Sequence, residues 1–458
     1  MPSTTGSPLA DSPARQLAFE ALQAIERGAY ADVALHRGLR PRSLAGRDRA
    51  LTTELVYGSV RRQRTLDALI DALGKKTARQ QPMAVRLLLR LGLYQLRYLD
   101  SVPPSAAVNT TVDLAKANGQ GRLSGVVNGI LRQYLRRQSQ GDDPLQLPAD
   151  PARAIGIRHS FPDWIVQLWQ EQIGLDETAA LCDWFNRTPY LDLRVNPLQT
   201  NMTEVESAFE AHGIPWESIP HVPQGLRLLE HVGDLSKLPG YAEGWWSVQD
   251  ASAQLVAYLA DPQPGQVIID ACAAPGGKAT HLAERMGDRG TIWACDLPGK
   301  RKSVSPRLQK VIENAQRLGL HSIKPSPGDS RDRPELYGLA DRVLIDAPCS
   351  GLGTLHRHAD ARWRQSPASV AQLTQLQGDL LRSTAEWLKP DGRLIYATCT
   401  LNPPENQSVI QDFLAEHSDW RILPPPAALQ PFADDGGWIE IWPHRHEMDG
   451  FFMVALGR

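Results

Sequence analysis

Two cysteines are placed where thiols could do chemistry. Cys349 lies in IDAPCSGLG and Cys399 in YATCTLNPPEN, and each follows a short apolar run and precedes a turn. Runs of that kind read as strands of one sheet, whose C-terminal ends open on a common cleft. A thiolate is a strong nucleophile, and covalent catalysis splits a difficult step into easier ones. The alternative is that these are small buried hydrophobes, which is the reading taken for Cys182 and Cys295. The fifth cysteine is Cys272, and no CxxC pair occurs. The odd count and wide spacing suit neither a disulfide framework nor a zinc ribbon, so no metal is expected. His444, Arg445 and His446 have no nearby acid or thiol pattern to complete a metal site and read as structural.

A second constellation precedes the cysteines. The run VIID (267–270) leads into ACAAPGGKAT and then a helical HLAERM. A strand, a small-residue loop and a helix start place a ligand at the C-terminal edge of a sheet. Gly276 and Gly277 let the backbone approach that ligand, and helix N-terminal amides favour a carboxylate. The G-x-G-x-x-G dinucleotide fingerprint is absent. The P-loop pattern fails too, because position 272 is Cys and Ala279 follows Lys278. Asp296, Asp329 and Asp346 then fall at the ends of the next apolar runs. They fit an adenosyl ligand, with Asp296 toward ribose hydroxyls and Asp329 toward the adenine edge. One such Asp is more often a cap or turn residue, but four in register, counting Asp270, are harder to read that way.

The elements that must position these residues are legible in outline. Apolar spacing of three and four residues makes 13–140 wholly helical, with Pro82 and Pro103-Pro104 between segments. The polar, proline-rich stretch 140–151 reads as a linker, and 151–245 as a small α+β unit. From 246 onward, VIID, TIWACD (291–296), RVLIDAPC (342–349) and RLIYATC (393–399) alternate with helical stretches. That is the pattern of a parallel sheet covered by helices on both faces. GWIEIW (437–442) and GFFMVAL (450–456) predict a terminal antiparallel hairpin. Residues 1–12 read as a disordered tail rather than a signal peptide, and no run is long enough to span a bilayer, so a cytoplasmic protein is expected.

Net charge is −2, but residues 1–150 hold 21 Lys and Arg against 13 Asp and Glu, a net of +8. A basic domain on an acidic body suggests a polyanion partner, and a solvated arginine-rich surface is the bland alternative. His356, Arg357, His358, Arg362 and Arg364 form a basic loop after Cys349 that is expected to contact phosphate.

Four segments, DACAAPGGKAT, DAPCSGLGTLHRH, YATCTLNPPEN and HRHEMDGFF, resemble the motifs of the RNA cytosine-C5 methyltransferase family, the NOL/NSUN/Sun group. Residues 13–137, with DRALTTELVYGSVRRQRTLD and VNGILRQYLR, resemble a NusB-like RNA-binding helical domain. The combination is similar to bacterial enzymes acting on small-subunit ribosomal RNA. The resemblance implies three parts: an all-α NusB-like domain, a small α+β unit and an α/β Rossmann-like catalytic domain over 246–458. It implies S-adenosylmethionine held by Cys272, Ala273, Ala274, Pro275, Gly276, Gly277 and Lys278, with Asp296, Asp329 and Asp346. It also implies Cys399 as nucleophile, Cys349 as the cysteine that assists release, and Asp346 as a catalytic acid at the base. In such a reaction the thiolate adds to carbon 6 of cytosine, carbon 5 attacks the methyl sulfonium, and loss of the carbon-5 proton allows elimination. The residues alone do not say which cysteine attacks, since DNA cytosine-C5 enzymes use a Pro-Cys motif, here Pro348-Cys349. One departure is the stretch LPGKRKSVSPRLQK after Asp296, longer than the family usually has, which weakens the ribose assignment of Asp296. The expected partner is small-subunit ribosomal RNA, with a monomeric enzyme and no membrane. Transfer RNA as substrate, or a non-catalytic RNA-binding assembly factor, are the alternatives.

Overall fold

The computed structural model describes residues 13–40, 44–230, 232–300 and 303–458, so the expected tail at 1–12 lies outside the described residues. The chain divides into two compact units. One holds the residues up to Asn186 together with Leu355–Arg364, and the other holds Arg187–Thr354 and Gln365–Arg458.

The first unit is all helical. Helices α1 (Pro13–Glu26), α2 (Ala31–Leu39), α3 (Gly46–Arg61), α4 (Gln63–Leu73), α5 (Met83–Tyr98), α6 (Pro104–Ala117) and α7 (Ser124–Ser139) surround a core that includes Leu17, Phe19, Leu55, Leu66, Leu88 and Leu131. Pro82 and Pro103 stand at the starts of α5 and α6, where a missing N–H costs nothing. Helices α8 (Pro151–His159) and α9 (Asp163–Trp184) also lie in this unit rather than with the strands that follow them.

The second unit contains two sheets. The smaller is antiparallel, in the order β2-β3-β1-β4, from β1 (Leu191–Val195), β2 (Trp216–Ser218), β3 (Gly225–Leu228) and β4 (Trp246–Val248). Helix α10 (Met202–Ala211) packs on it through Val205 and Phe209.

The larger sheet has eight strands. A parallel set is formed by β5 (Val267–Asp270), β6 (Thr291–Asp296), β7 (Ile323–Pro327), β8 (Ala340–Asp346) and β9 (Leu388–Thr398), in the order β9-β8-β5-β6-β7. The chain runs outward one way through β6 and β7, then returns to the other side of β5 for β8 and β9. The switch point therefore lies between β5 and β8, where such sheets bind ligands. Alternate residues face opposite layers. Ile268, Ile292, Leu344 and Ile395 pack in one core with residues of α11 (Ala251–Ala260), α12 (Gly277–Arg285) and α13 (Pro306–Arg317). Ile269, Val343, Ile345 and Tyr396 pack in another with residues of α15 (Pro367–Ala385) and α16 (Gln407–Glu416), α14 being the short Ala361–Arg364 turn of the first unit. The expected hairpin forms, since β11 (Ile439–Ile441) pairs antiparallel with β12 (Phe451–Gly457). However, β12 is no appendage: it also pairs along β9 and holds β10 (Arg421–Ile422) on its other side. Among the described residues no helix is long and apolar enough to cross a membrane.

Candidate active site

Neighbouring parallel strands release the two cysteines at the same edge. Asp346 ends β8 opposite Ala397 of β9, and Ala347 N–H donates to Ala397 O at 2.9 Å. Cys349 and Cys399 follow, and their Sγ atoms lie 3.4 Å apart. Backbone contacts then clasp three loops together. Gly353 N–H donates to Cys399 O at 3.0 Å and Gly450 N–H to Gly353 O at 2.8 Å. A Cβ on Gly353 would stand 1.9 Å from Gly450 O, so this approach admits only glycine. Lys278, from the first turn of α12, donates from Nζ to Asp346 Oδ2 at 2.6 Å and lies 5.1 Å from the Phe451 ring centroid.

The charges around the thiols are unequal. The contact with Cys349 lowers the Cys399 thiol from its ordinary value despite burial, with Lys278 acting in the same direction. Cys349 is pushed well up by the same contact and by burial, with the Cys399 and Glu405 charges adding to it. The pair therefore favours a thiolate at Cys399 with Cys349 as donor. Burial lowers Lys278, but Asp346 more than offsets that and holds it above the ordinary amine value.

The cofactor loop is built from small residues over the end of β5. Ala273 N–H donates to Cys295 O at 2.8 Å, the Ala274–Pro275 peptide is cis, and Gly276 adopts φ +106° to start α12. Asp296 grips this loop, accepting from Ala274 N at 3.1 Å and Leu297 N at 2.8 Å, with Arg307 at 3.6 Å. The longer segment after Asp296 thus ends in a helix start that brings Arg307 to the loop, where it also donates to Ala274 O at 3.3 Å. Asp329, half exposed, is bidentate with Arg331 at 3.0 and 2.6 Å. Asp270 is fully buried, and its Oδ2 has no hydrogen-bond partner among the described residues. Burial and the nearby Asp346 push its carboxyl up to about 8. An acceptor left open beneath a loop of Cys272 and two alanines suits the ammonium of an amino-acid ligand. These residues fit S-adenosylmethionine on that ground.

Several residues take different places from those expected. Lys278, grouped by sequence with the cofactor loop, sits on Asp346 and adds its charge to the Cys399 thiol. The basic loop is corrected in part. Arg362 is fully buried in the first unit, donating to Ser160 O at 3.2 Å, Leu355 O at 3.1 Å and Asn186 Oδ1 at 3.3 Å, with its guanidinium 4.0 Å from the Phe161 ring. His356 is buried against Trp184, and its carbonyl accepts from Arg61 Nη2 at 3.0 Å. Both are buried because the chain turns inward here, so neither reaches a phosphate, and sequence spacing does not reveal that turn. Arg364 lies at the surface but pairs with Asp360 and donates to Ala29 O. His446 Nδ1 accepts from Trp442 N–H at 2.9 Å, a structural role, and no metal-holding cluster occurs among the described residues. Cys182 and Cys295 are buried, the latter with its thiol pushed up to about 11 by burial.

Two functional supports escaped the sequence reading. Arg194 of β1, fully buried, pairs with Glu284 at 2.9 and 2.7 Å and donates to Gly277 O at 2.8 Å and Thr280 Oγ1 at 3.0 Å, so it braces the start of α12. Its only signal was an arginine within the apolar strand LDLRV. The second is Glu405, whose position six residues after Cys399 was the available clue.

Known proteins of similar sequence and shape agree with this architecture. The description 16S rRNA methyltransferase RsmB/F matches residues 257–457, the NusB family matches 12–136, and a ferredoxin-like domain of RsmF/B-like methyltransferases matches 161–233. A probable ribosomal RNA small subunit methyltransferase B of Synechocystis is 50% identical over 450 residues, covering 97% of this chain and 99% of the relative. Its Bacillus subtilis counterpart is 33% identical, covering 96% and 98%. The crystal structure of PH0851 superposes with a TM-score of 0.78 at 26% identity, covering 97% of this chain and 99% of that one. Because the match to these relatives runs through the helical unit, the small sheet and both cysteine loops alike, the chain belongs to the ribosomal RNA small subunit methyltransferase B group of the 16S rRNA methyltransferase RsmB/F family.

Proposed function

We propose that this enzyme methylates carbon 5 of a cytosine in small-subunit ribosomal RNA, with Cys399 as the nucleophile. The observation that carries the reading is the 3.4 Å contact of two thiols beside the Lys278–Asp346 pair. S-adenosylmethionine, when bound, supplies an electrophilic methyl group at its sulfonium. Cys399 Sγ adds to carbon 6, which turns carbon 5 into an enamine-like nucleophile. Asp346 hydrogen-bonds the ring nitrogen and amino edge of the base, and Lys278 steadies both the carboxylate and the thiolate. After carbon 5 has taken the methyl group, water takes up its proton, the freed electron pair restores the double bond between carbons 5 and 6, and Cys399 leaves carbon 6 as a thiolate. Cys349, as the protonated partner, receives the departing thiolate in a hydrogen bond. Asp296, Asp329 and the backbone of residues 272–277 would hold the cofactor. A cytosine in a paired stem must first be unstacked to enter.

Function divides along the chain as 13–140 for RNA affinity, 151–245 as connector and 246–458 for catalysis, in a cytoplasmic monomer. The test of substrate is transfer of labelled methyl groups to small-subunit ribosomal RNA or to transfer RNA. Label in 5-methylcytosine of the ribosomal RNA supports the reading, and label confined to transfer RNA overturns it. Deleting the helical domain is a poor test of RNA affinity, because Trp363 donates to Val60 O at 2.8 Å and Asp360 accepts from Ala31 N at 3.1 Å within the first unit. Replacing the exposed Lys75, Lys76 and Arg79 is cleaner. Each lost phosphate contact should flatten the logarithmic salt dependence of binding by about 1.

A further inference from the structure

Between the two cysteine loops lies a carboxylate with no direct place in the reaction. Glu405 is fully buried in the turn Pro403–Glu405. Its Oε1 accepts from Ser350 N at 2.8 Å and Gln377 Nε2 at 3.2 Å. Its Oε2 accepts from Ser350 Oγ at 2.5 Å and Asn402 Nδ2 at 2.8 Å. Ser350 and Thr400 each follow a cysteine, and their hydroxyls meet at 2.8 Å. Gln377 also donates to Pro348 O at 2.9 Å, so Cys349 is held on both flanks. On the other loop, Thr400 O accepts from Asn406 Nδ2 at 3.0 Å.

A buried carboxylate is costly unless hydrogen bonds satisfy it, and here the groups facing it are donors from both loops. Such a group ties the loops together more firmly than an apolar contact of the same size, because pulling either loop away strands a buried charge. We propose that Glu405 is the positioning residue of the thiol pair, holding the loop after each cysteine so that the two sulfurs stay in contact. The inference rests on the thiol chemistry proposed above. Charged and titratable groups around the pair are Lys278 and Asp346 on the Cys399 side, Tyr396 toward Cys349, and Glu405, whose charge acts on both thiols. The sulfur contact contributes most to the separation of the two thiols, and that contact is what Glu405 would maintain.

Glu405→Gln tests the idea, because a glutamine amide must turn one NH₂ toward groups that are themselves donors. Alkylation of the free, full-length enzyme by iodoacetamide, followed at Cys399 and Cys349 by peptide mass spectrometry across pH, reads the pair without RNA. In the wild type Cys399 should react far faster than Cys349 at neutral pH. In Glu405→Gln the two should converge toward ordinary thiol behaviour, with the ratio falling about tenfold or more. Ser350→Ala keeps the carboxylate and loses one grip, and should lower the ratio in the same direction by roughly threefold. S-adenosylmethionine binding should stay within about twofold, since none of these contacts touches the 270–278 loop. A folded variant that loses stability but keeps the wild-type ratio overturns the proposal, and Ser350→Ala decides it if Glu405→Gln does not fold. A failure of methyl transfer by the wild type would count against the function and leave this ratio unaffected.

Discussion

Two regions of the catalytic unit are built on opposite principles. At the thiol end, Cys349 and Cys399 stand on loops joined by a buried carboxylate, two facing hydroxyls and the backbone bond from Gly353 N–H to Cys399 O. Around Asp329, the residue proposed to hold the adenosyl part, the carboxylate is half exposed and its partner, Arg331, lies two residues away, with Asp379 and Arg382 lining the same surface hollow. An exposed ion pair between near neighbours in sequence contributes only about 0–1 kcal/mol, so it yields readily to a ligand. A buried, saturated network does not yield at all without loss of structure. The difference matches the two tasks proposed for these regions: chemistry requires reacting atoms fixed before substrate arrives, whereas cofactor exchange requires groups that can change partners on each turnover.

The most severe way to break the thiol end is Cys399→Ala. It should lower methyl transfer by roughly 10³-fold or more and abolish any covalent protein–RNA species on a denaturing gel. Cys349→Ala should be nearly as inactive yet accumulate that species, because bond formation survives and release fails. If the trapped species instead appears in Cys399→Ala, the Pro-Cys reading is correct and the roles exchange.

Arg194→Met probes what supports the cofactor helix. It leaves Glu284 buried without its cation and should cost about 3–5 kcal/mol in denaturant unfolding, with weaker cofactor binding. Unchanged stability would mean that the small sheet does not brace α12.

At the open end, effects should be smaller. Asp329→Ala is expected to weaken S-adenosylmethionine binding about tenfold by calorimetry, or ~1.4 kcal/mol. Arg331→Ala should leave thermal stability almost unchanged and cofactor affinity equal or better, since it frees Asp329. A large stability loss in Arg331→Ala would erase the contrast between the two ends.

A pH effect on the free enzyme concerns Asp270. Its folded carboxyl is raised to about 8 from the ordinary 3.8, so the folded state holds a proton that the unfolded chain gives up. Stability of the free enzyme should therefore fall as pH rises through that window. Asp270→Asn should flatten the slope, and bound cofactor, by placing an ammonium near the carboxylate, should reduce it. Equal slopes in wild type and variant would show that Asp270 does not titrate there.

Much of this protein was determined by its sequence alone. Helical periodicity in the first 140 residues, strands rising in the alternating second half, and the loops after VIID, RVLIDAP and RLIYAT are local properties, governed by side-chain spacing and by glycine and proline chemistry. That both cysteines emerge at one edge follows from parallel strands, whose C-terminal ends point the same way. Only the tertiary structure decided which polar groups are interior. Arg362 looked like a phosphate contact in a basic run, yet it is buried among backbone carbonyls, because residues 355–364 pack in the helical unit. Lys278 groups with the cofactor loop in sequence, and only the fold shows that the first turn of α12 brings its ammonium to Asp346. Glu405 and Arg194 read as ordinary surface charges in one dimension, and their importance comes from partners 55 and 90 residues away. Burial and long-range partners set the worth of a charge, and neither is encoded in its immediate neighbours.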